Sequence, residues 1–362
     1  NDSAARNICP ATAHRSAPNC ADYCRGYIMR PAAHIPEVIQ RVFRNRSSSS
    51  LDDYDMSPCA STSGASRTHS TLSVQRSVFS KLFGGRTSPA AVQGGSFHSR
   101  YELGRVLGSG SFAVARIAID RATGKEWACK VVTETADRTL QLEEVNILRQ
   151  LDHPNLLKYR EHFDEPDHLY IISELLSGAS LLPAILERGC YPEDDAREVM
   201  RQLLSALAYL DSKGIAHRDL TLENIMLVSE ASHTRIKIID FGLSAQLSSS
   251  RPAFREGSGT PQYLAPEVVK LIPYGPKCDV WAAGLVLFVL LSGDYPYTSS
   301  TAARLIARIR RLKYVKFKDP VWEITSESAR DMVRALLTVE PAERPAASAA
   351  LAHRWMCDKG IF

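Results

Sequence analysis

Hydrophobic and polar positions divide the chain into three stretches of different character. Residues 1–98 are rich in small polar side chains, with a serine run at 47–50. Such a composition buries too little apolar surface to offset the entropy lost on folding. From Tyr101 short apolar segments follow one another, and after Gly178 apolar residues recur every three or four positions. The patterns predict a disordered tail, a β-rich region and a helical region, in that order.

The spacing of apolar residues also predicts individual elements. We expect strands at 101–107, 113–119, 127–132, 156–163 and 169–173, and helices at 139–151, 196–212, 280–291, 302–311, 326–337 and 346–356. A β-rich region followed by a helical one predicts an α+β, two-lobed fold. The expected domains are a disordered basic tail at 1–98, a small N-lobe at about 99–175, a large helical C-lobe at about 176–356 and a C-terminal end at 357–362.

The tail contains two short stretches with helical spacing of apolar residues, from Ile35 to Phe43 and from Val74 to Phe83. One interpretation is a helix that forms only transiently. The other is a docking or autoinhibitory helix that packs on the globular part of the same chain, which would be an intramolecular partner.

Composition and charge narrow the class of protein. The 44% hydrophobic and 23% charged residues are ordinary for a soluble globular chain. The net charge is +4, but residues 1–98 carry eleven Lys/Arg and six Asp/Glu, a net of +5, which leaves −1 for the rest. This distribution argues against a nucleic-acid-binding core. No apolar run is long enough to span a membrane.

The eight cysteines are scattered along the chain. Four of them fall in the predicted globular part, and we interpret these as reduced, buried thiols of an intracellular protein: Cys129, Cys190, Cys278 and Cys357. The cytoplasm is the favoured compartment. Organelle targeting stays open, because the acid-poor start of the chain resembles a transit peptide only loosely.

A glycine-rich turn lies between the first two predicted strands and comprises Leu107, Gly108, Ser109, Gly110, Ser111, Phe112 and Ala113. Backbone N–H groups can approach phosphates closely where side chains are absent, so the turn is a candidate phosphate cradle. The third glycine of the usual pattern is replaced by Ala113, and taken alone the turn is equally typical of a tight hairpin.

A lysine inside an apolar strand is the next candidate. Lys130 follows Ala128 and Cys129, and burying its charge is costly unless the charge is paired. Glu144, on the following predicted helix, is the natural partner. The pair would hold Lys130 against the α- and β-phosphates of a nucleotide.

The segment from His217 to Asn224 reads His-Arg-Asp-Leu-Thr-Leu-Glu-Asn and is followed by Asp240-Phe241-Gly242. Asp219 can accept the proton of an incoming hydroxyl group. Asn224 and Asp240 supply oxygen atoms to Mg²⁺, a hard cation that needs few protein ligands because it keeps water and phosphate oxygens. This combination is typical of phosphoryl transfer.

In this order the motifs resemble those of eukaryotic protein kinases. Further matches are Ala265-Pro266-Glu267, Asp279-Val280-Trp281 and Arg344, and the resemblance extends over about 101–356. Details are similar to the calcium/calmodulin-dependent kinase group, namely the segments 153–155, 259–267 and 352–355. The resemblance implies a Ser/Thr kinase that uses ATP and Mg²⁺ and acts on protein substrates. It also implies that Glu267 pairs with Arg344 and that Asp279 braces the catalytic loop. No D-x-D-x-D-G calcium loop occurs, so regulation by calcium or calmodulin is not inferred.

The resemblance also implies the remaining site residues. The catalytic set is Asp219, Lys130 and Glu144, and the metal ligands are Asn224 and Asp240. The ATP-binding set adds Val114, Ala115, Ala128, Ser173, Glu174, Leu176 and Met226 to the glycine-rich turn and Lys130. Ser173 aligns with a position that is usually bulkier, at the edge of the adenine site.

Three positions depart from the family pattern. Thr221 stands where the catalytic loop usually has a lysine, which removes a cation from the transition state. Glu256 occupies an activation-loop position where many relatives carry a phosphorylatable threonine, and its carboxylate could pair with Arg218 or simply be exposed. Ser180 replaces a glutamate that recognises substrate arginine in basophilic relatives, whereas Glu223 is kept.

We therefore predict an ATP-dependent protein Ser/Thr kinase with some preference for basic residues near the target hydroxyl. The alternative is a pseudokinase or weakly active nucleotide-binding scaffold, because of Thr221. A cluster of seven Arg and Lys residues at 304–318 either docks an acidic partner or forms a solvated helix face.

Overall fold

The computed structural model describes residues 95–109, 113–133 and 138–358. The N-terminal tail, with its two predicted amphipathic stretches, lies outside the described residues, as do Gly110, Ser111 and Phe112. By packing, the described residues form two compact units. The small unit comprises those of 95–141 and 159–175, and the large unit comprises 142–158 and 176–358.

The small unit is built on one antiparallel sheet of five strands. Its elements are helix α1 (Phe97–Arg100) and strands β1 (Tyr101–Ser109), β2 (Ala113–Asp120), β3 (Glu126–Thr133), β4 (Tyr159–Asp164) and β5 (His168–Ser173). The strands lie in the order β1-β2-β3-β5-β4. Helix α2 (Arg138–Leu148) follows β3, and the division between the two units falls within it.

The hydrophobic core of the small unit covers one face of this sheet. It contains Ala118, Cys129 and Ile172 from the three central strands, and Phe97 from α1 lies fully buried against them. The Phe97 ring stacks on the Tyr170 ring with centroids 4.0 Å apart. The core therefore includes a residue two positions before the predicted domain start at residue 99.

The large unit is mostly helical. Its helices after α2 are α3 (Leu181–Arg188), α4 (Glu193–Ser212), α5 (Pro266–Val269), α6 (Lys277–Ser292), α7 (Ala302–Arg310), α8 (Val321–Ile324), α9 (Glu327–Leu336), α10 (Ala347–Leu351) and α11 (Arg354–Cys357). Two short hairpins complete it, formed by β6 (Ile215–Ala216) with β9 (Ala245–Gln246) and by β7 (Ile225–Leu227) with β8 (Ile236–Ile238).

Helix α6 forms the centre of the large unit. Residues 278–291 are buried on every side of the helix, which is the pattern of a core helix rather than a surface one. It ends at Gly293, which adopts the left-handed conformation (φ 74°) that suits a helix C-terminus. No helix among the described residues is long and apolar enough to cross a membrane.

The α+β, two-lobed fold predicted from the sequence is confirmed, with a β-sheet N-lobe and a helical C-lobe. Two predicted elements need correction. The predicted strand from 156 begins only at Tyr159, because Leu156 instead bridges Ile238 of β8. The predicted helix 346–356 is broken at Ala352 and His353, where His353 Nδ1 accepts the Trp355 N–H group and starts a new helix.

The prediction of reduced, buried thiols is confirmed at Cys129 and Cys278, whereas at Cys357 the reduced state is confirmed and the burial is wrong. Cys129 and Cys278 are buried free thiols and Cys357 is an exposed free thiol. Burial raises the pKa of Cys129 to about 12, so this thiol stays protonated at neutral pH. Cys190 is disulfide-bonded, so the prediction of a reduced thiol is wrong there. Cys190 is half-buried.

Candidate active site

The loop that carries Asp219 is braced by a buried carboxylate. Asp279, at the start of α6, accepts the backbone N–H groups of His217 (2.7 Å) and Arg218 (2.9 Å). Burial raises the pKa of Asp279, and the two N–H donors counteract this by stabilising the charged form. Arg218 adopts φ 63°, a conformation that a non-glycine residue holds only where its surroundings impose it. The predicted brace is confirmed.

Two neighbours orient the Asp219 side chain. Thr260 donates both its backbone N–H (2.9 Å) and its hydroxyl (2.7 Å) to Asp219 Oδ1. The Asn224 side-chain amide donates to the Asp219 backbone carbonyl (2.9 Å) and to Oδ2 (3.2 Å). Gly259 permits this approach, because a Cβ there would lie 2.4 Å from the Arg218 carbonyl oxygen. Both oxygens of the Asp219 carboxylate therefore accept hydrogen bonds from these neighbours.

Thr221 has a structural contact of its own. The side chain is buried, and its Oγ1 accepts the Asn224 backbone N–H group at 3.2 Å. A lysine has no acceptor atom and could not make this bond. The departure from the family pattern therefore exchanges a cation for a hydrogen bond that helps to hold the turn carrying Asn224.

The two predicted metal ligands flank the β7–β8 hairpin, because Asn224 directly precedes β7 and Asp240 lies two residues after β8. The Ile239 N–H group donates to the Asn224 backbone carbonyl (2.9 Å), and Asp240 comes directly afterwards. Asp240 adopts φ 60°, and its Oδ1 accepts the Gly242 N–H group at 3.3 Å. Because the Asn224 amide nitrogen donates to Asp219, the Oδ1 atom of Asn224 is the atom that would bind a cation. One amide and one carboxylate oxygen fit Mg²⁺, which keeps water or phosphate as further ligands.

The carboxylate of Glu267 forms a bidentate pair with Arg344, as predicted. The oxygen–nitrogen distances are 2.7 and 2.9 Å, and Arg344 is fully buried. The Arg344 guanidinium also donates to the backbone carbonyls of Thr338 and Lys277. The two bonds to Glu267 connect α5 to the segment before α10, and the bond to Lys277 connects that segment to the start of α6.

Glu256 lies in an exposed ion cluster. Its carboxylate accepts from Arg218 (3.2 Å) and from Arg251 (2.8 Å), and its backbone carbonyl accepts the Tyr274 hydroxyl (2.7 Å). Partial burial raises the pKa of Glu256, but the backbone N–H groups of Glu256 and Arg255 and the Arg251 guanidinium outweigh this and hold the pKa below its usual range. The predicted pairing with Arg218 is confirmed.

Comparisons with known proteins agree with this geometry. Residues 101–356 match the model of the protein kinase domain. The chain belongs to the protein kinase family. Among its relatives, mouse serine/threonine-protein kinase 33 is 36% identical over 73% of this chain and 56% of its own length. The Drosophila melanogaster calcium/calmodulin-dependent protein kinase type II alpha chain is 34% identical over 75% of this chain and 52% of its own length. Mouse calcium/calmodulin-dependent protein kinase type 1B is 37% identical over 73% of this chain and 77% of its own length. The match spans about half the length of the first two relatives.

The predicted nucleotide-binding residues of the kinase's small unit share one sheet face. Ala115 pairs in register with Lys130, and Ala128 pairs with Ser173, so these side chains lie on the face opposite the hydrophobic core. Gly108 pairs with Ala115 at the same end of the sheet. Val114 is the exception, because alternation places it on the core-side face, which does not favour contact with a nucleotide.

Other members of the predicted ATP-binding set are placed as follows. Leu107 and Ser109 are exposed at the end of β1, Ala113 begins β2, and Glu174 directly follows β5; Leu176 and Met226 belong to the large unit. Glu144 is buried on α2. The predicted Lys130–Glu144 ion pair would join the two units and stays a prediction.

Thr260 is the site residue that sequence reasoning missed. It lies in the segment 259–267 that carries part of the family resemblance, and its hydroxyl beside Gly259 is the signal in the sequence for a close contact. The following residues extend the connection. Tyr263 accepts the Leu222 N–H group (3.2 Å) and its hydroxyl bonds the Tyr295 hydroxyl (2.6 Å), which ties the catalytic loop to the segment before α7.

Proposed function

We propose that the chain transfers the γ-phosphate of ATP, with Mg²⁺, to serine or threonine hydroxyl groups of proteins. The observation that carries the proposal is the arrangement around Asp219. Its carboxylate is oriented by Thr260 and Asn224 on a loop that Asp279 braces. A fixed orientation suits a general base, because the base must accept the proton of the incoming hydroxyl group in one defined geometry.

Each residue then has a defined task. Asp219 accepts the proton of the substrate hydroxyl as that oxygen forms its bond to the γ-phosphorus, while the bond from this phosphorus to the β–γ bridging oxygen breaks and ADP leaves. Mg²⁺ held by Asn224 and Asp240 would neutralise the phosphate charge. Lys130, which we propose Glu144 orients, binds the α- and β-phosphates, and the loop from Leu107 to Ala113 covers them.

Substrate choice follows from two acidic positions of the family pattern. Glu223 is present and exposed beside Asn224, whereas Ser180 replaces the second glutamate and instead bridges Met226 through its backbone. We propose that one carboxylate still favours a basic residue near the target hydroxyl. Loss of the second carboxylate weakens this preference, because an exposed charge pair contributes only about 0–1 kcal/mol.

A weakly active or inactive nucleotide-binding scaffold is the second candidate function, and Thr221 is the observation that favours it. Losing one electrostatic donor from a transition state costs roughly 3–4 kcal/mol, or about a hundred- to a thousandfold in rate. Against this candidate, the proposed base and both proposed metal ligands are present.

Phosphate transfer to a peptide library with ATP and Mg²⁺ tests the proposal. We expect transfer by the wild type and loss of transfer in Asp219→Asn, which keeps the side-chain volume. Thr221→Lys should raise kcat by restoring the cation, whereas Thr221→Val should not. No transfer by the wild type above the Asp219→Asn background would establish the scaffold instead.

A further inference from the structure

A basic groove lies along helix α7 and the segment after it, with a volume of about 580 Å³. Eight residues line it, and five of these carry positive charge: Arg304, Arg308, Arg311, Lys313 and Lys316. We use the name basic groove for this surface. The exposed ring of Tyr314 also lines it, with Lys316 Nζ 5.6 Å from the ring centroid.

These cations lie on one side of the fold because α7 and the segment after it each expose residues at regular intervals. Leu305 and Ile309 of α7 are buried, while Arg304, Arg308 and Arg311 recur at intervals of four and three positions along the exposed face. The segment after α7 alternates between exposed and half-buried residues. There Phe317 packs on Trp322 with ring centroids 4.6 Å apart, which anchors the segment between its exposed lysines.

The charge of the groove is not compensated within the described part of the chain. None of its five cations has a described carboxylate oxygen within 4.0 Å, and residues 304–318 contain no Asp or Glu. The helix dipole explains only part of it, because a cation is favoured in the last turn of α7, where Arg308 lies, and not in the first turn. The first turn of α7 has no acidic residue and contains Arg304, whose charge opposes the helix dipole there. Five neighbouring cations repel one another unless an anion binds.

The groove is connected to the catalytic loop within the large unit. Helix α7 packs against the turn 261–263 that follows Thr260. Gln262 donates to the Tyr297 carbonyl (2.7 Å), and Tyr263 bonds Tyr295, so the segment leading into α7 is held on this turn. A protein bound in the groove would therefore lie against the element that positions Asp219.

We propose that the basic groove docks an acidic segment of a protein substrate. The proposal rests on the proposed function and extends it to substrate choice. The N-terminal tail of this chain is a poor occupant, because residues 1–98 carry a net charge of +5. Three arginines favour carboxylate-rich peptides, since the planar guanidinium binds carboxylates through two parallel hydrogen bonds. The exposed Tyr314 ring offers the aliphatic parts of such a peptide a contact surface.

Binding is measured by fluorescence anisotropy with a labelled octaglutamate peptide and the full chain. The test variant is Arg311→Glu/Lys313→Glu, because these two side chains, unlike those of Arg308 and Arg310, form no hydrogen bond within the described part of the chain. The matched control is Arg149→Glu/Arg235→Glu, which reverses two exposed cations elsewhere in the large unit. We expect at least a tenfold loss of affinity in the test variant and none in the control. Added salt should weaken wild-type binding.

Three results would overturn the proposal. The first is equal peptide affinity in the test and control variants. The second is tighter binding of a labelled octadeoxynucleotide than of the peptide, lost in the test variant, which would assign the groove to nucleic acid. The third is a wild-type dimer in sedimentation that the test variant lacks, which would assign it to a second copy of this chain.

Kinetics separate docking from the proposed chemistry. A peptide substrate with an appended octaglutamate tail should show a KM about tenfold lower than the same peptide without it, at equal kcat. The test variant should abolish this difference. An equal KM for the peptide with and without the octaglutamate tail would contradict docking. Absence of transfer from every variant would contradict the proposed function, while the anisotropy result would still decide the groove.

Discussion

Two arginine–carboxylate clusters of the large unit use the same chemistry in opposite environments. The Glu267–Arg344 pair is sealed from solvent, with exposed fractions of 2% and 0%. The Glu256 cluster with Arg218 and Arg251 is open, and 55% of the Glu256 side chain is exposed. Desolvation makes the first pair obligatory, because either partner alone would be a buried unpaired charge. The second contributes little to stability and responds to salt and pH.

Arg218 links the two environments. Its backbone N–H group is held by buried Asp279, and its guanidinium reaches exposed Glu256. A change at the exposed cluster can therefore reach the catalytic loop, whereas the buried bonds keep that loop in place. The difference predicts a ranking of mutational effects.

Breaking the buried pair should have the largest effect. Arg344→Met leaves Glu267 charged and without its partner, which we expect to destabilise the fold by about 3–5 kcal/mol. Chemical denaturation measures the loss. The double variant Glu267→Leu/Arg344→Met should recover much of it, because neither charge remains buried. If the double variant is as unstable as the single one, packing rather than charge explains the effect.

Weakening the brace should have the next largest effect. Asp279→Asn keeps the shape but offers an amide group in place of one accepting oxygen, so one backbone N–H of His217 or Arg218 loses its partner. We expect a loss of about 1–3 kcal/mol of stability, together with a lower kcat. Denaturation and steady-state kinetics measure the two. Unchanged kcat at lowered stability would show that the brace does not position the loop.

Removing one donor from Asp219 tests orientation without altering a charge. Thr260→Val deletes the hydroxyl and keeps the backbone N–H bond, so about 0.5–1.5 kcal/mol should be lost. This corresponds to roughly a two- to tenfold fall in kcat with little change in KM. Thr260→Ser retains a hydroxyl and should restore the rate. If Thr260→Val has the wild-type kcat, the Thr260 hydroxyl does not help to orient Asp219.

Neutralising the exposed cluster should have the smallest effect on stability. Glu256→Gln is expected to cost about 0.2–1 kcal/mol at pH 7. Because the pKa of Glu256 is lowered in the folded state, its contribution is complete above the unfolded value of about 4.3 and is lost as the pH falls through the folded value. The difference between wild type and variant should therefore shrink below about pH 4. Denaturation at several pH values measures it.

Glu327→Gln is the matched control for this cluster. Glu327 pairs with Arg330 and Arg334, and its exposed fraction of 57% is close to the 55% of Glu256. Both variants should change stability similarly. Only Glu256→Gln should lower kcat, since only Glu256 contacts an arginine of the catalytic loop. Equal activity in both variants would show that the exposed cluster does not reach that loop.

The sequence predicted the parts of the structure that short motifs and periodicity encode. The five strands, the helical region, the Glu267–Arg344 pair and the Asp279 brace were all expected. Contacts between distant, ordinary residues were not. The Thr260 hydroxyl reaches Asp219 across 41 positions because Gly259 allows a close approach. The break at His353 depends on a local side-chain cap that competes with an otherwise helical pattern. The roles of the ATP-binding residues stay predictions.

Phe97 has a practical consequence for anyone who expresses the catalytic region alone. The family match begins at residue 101, and a fragment cut there would discard a ring that stacks on Tyr170 and a backbone N–H group that donates to Glu165 (2.7 Å). Loss of a buried aromatic side chain commonly costs about 3–5 kcal/mol. A fragment that starts at Gly95 should therefore melt at a higher temperature than one that starts at residue 101.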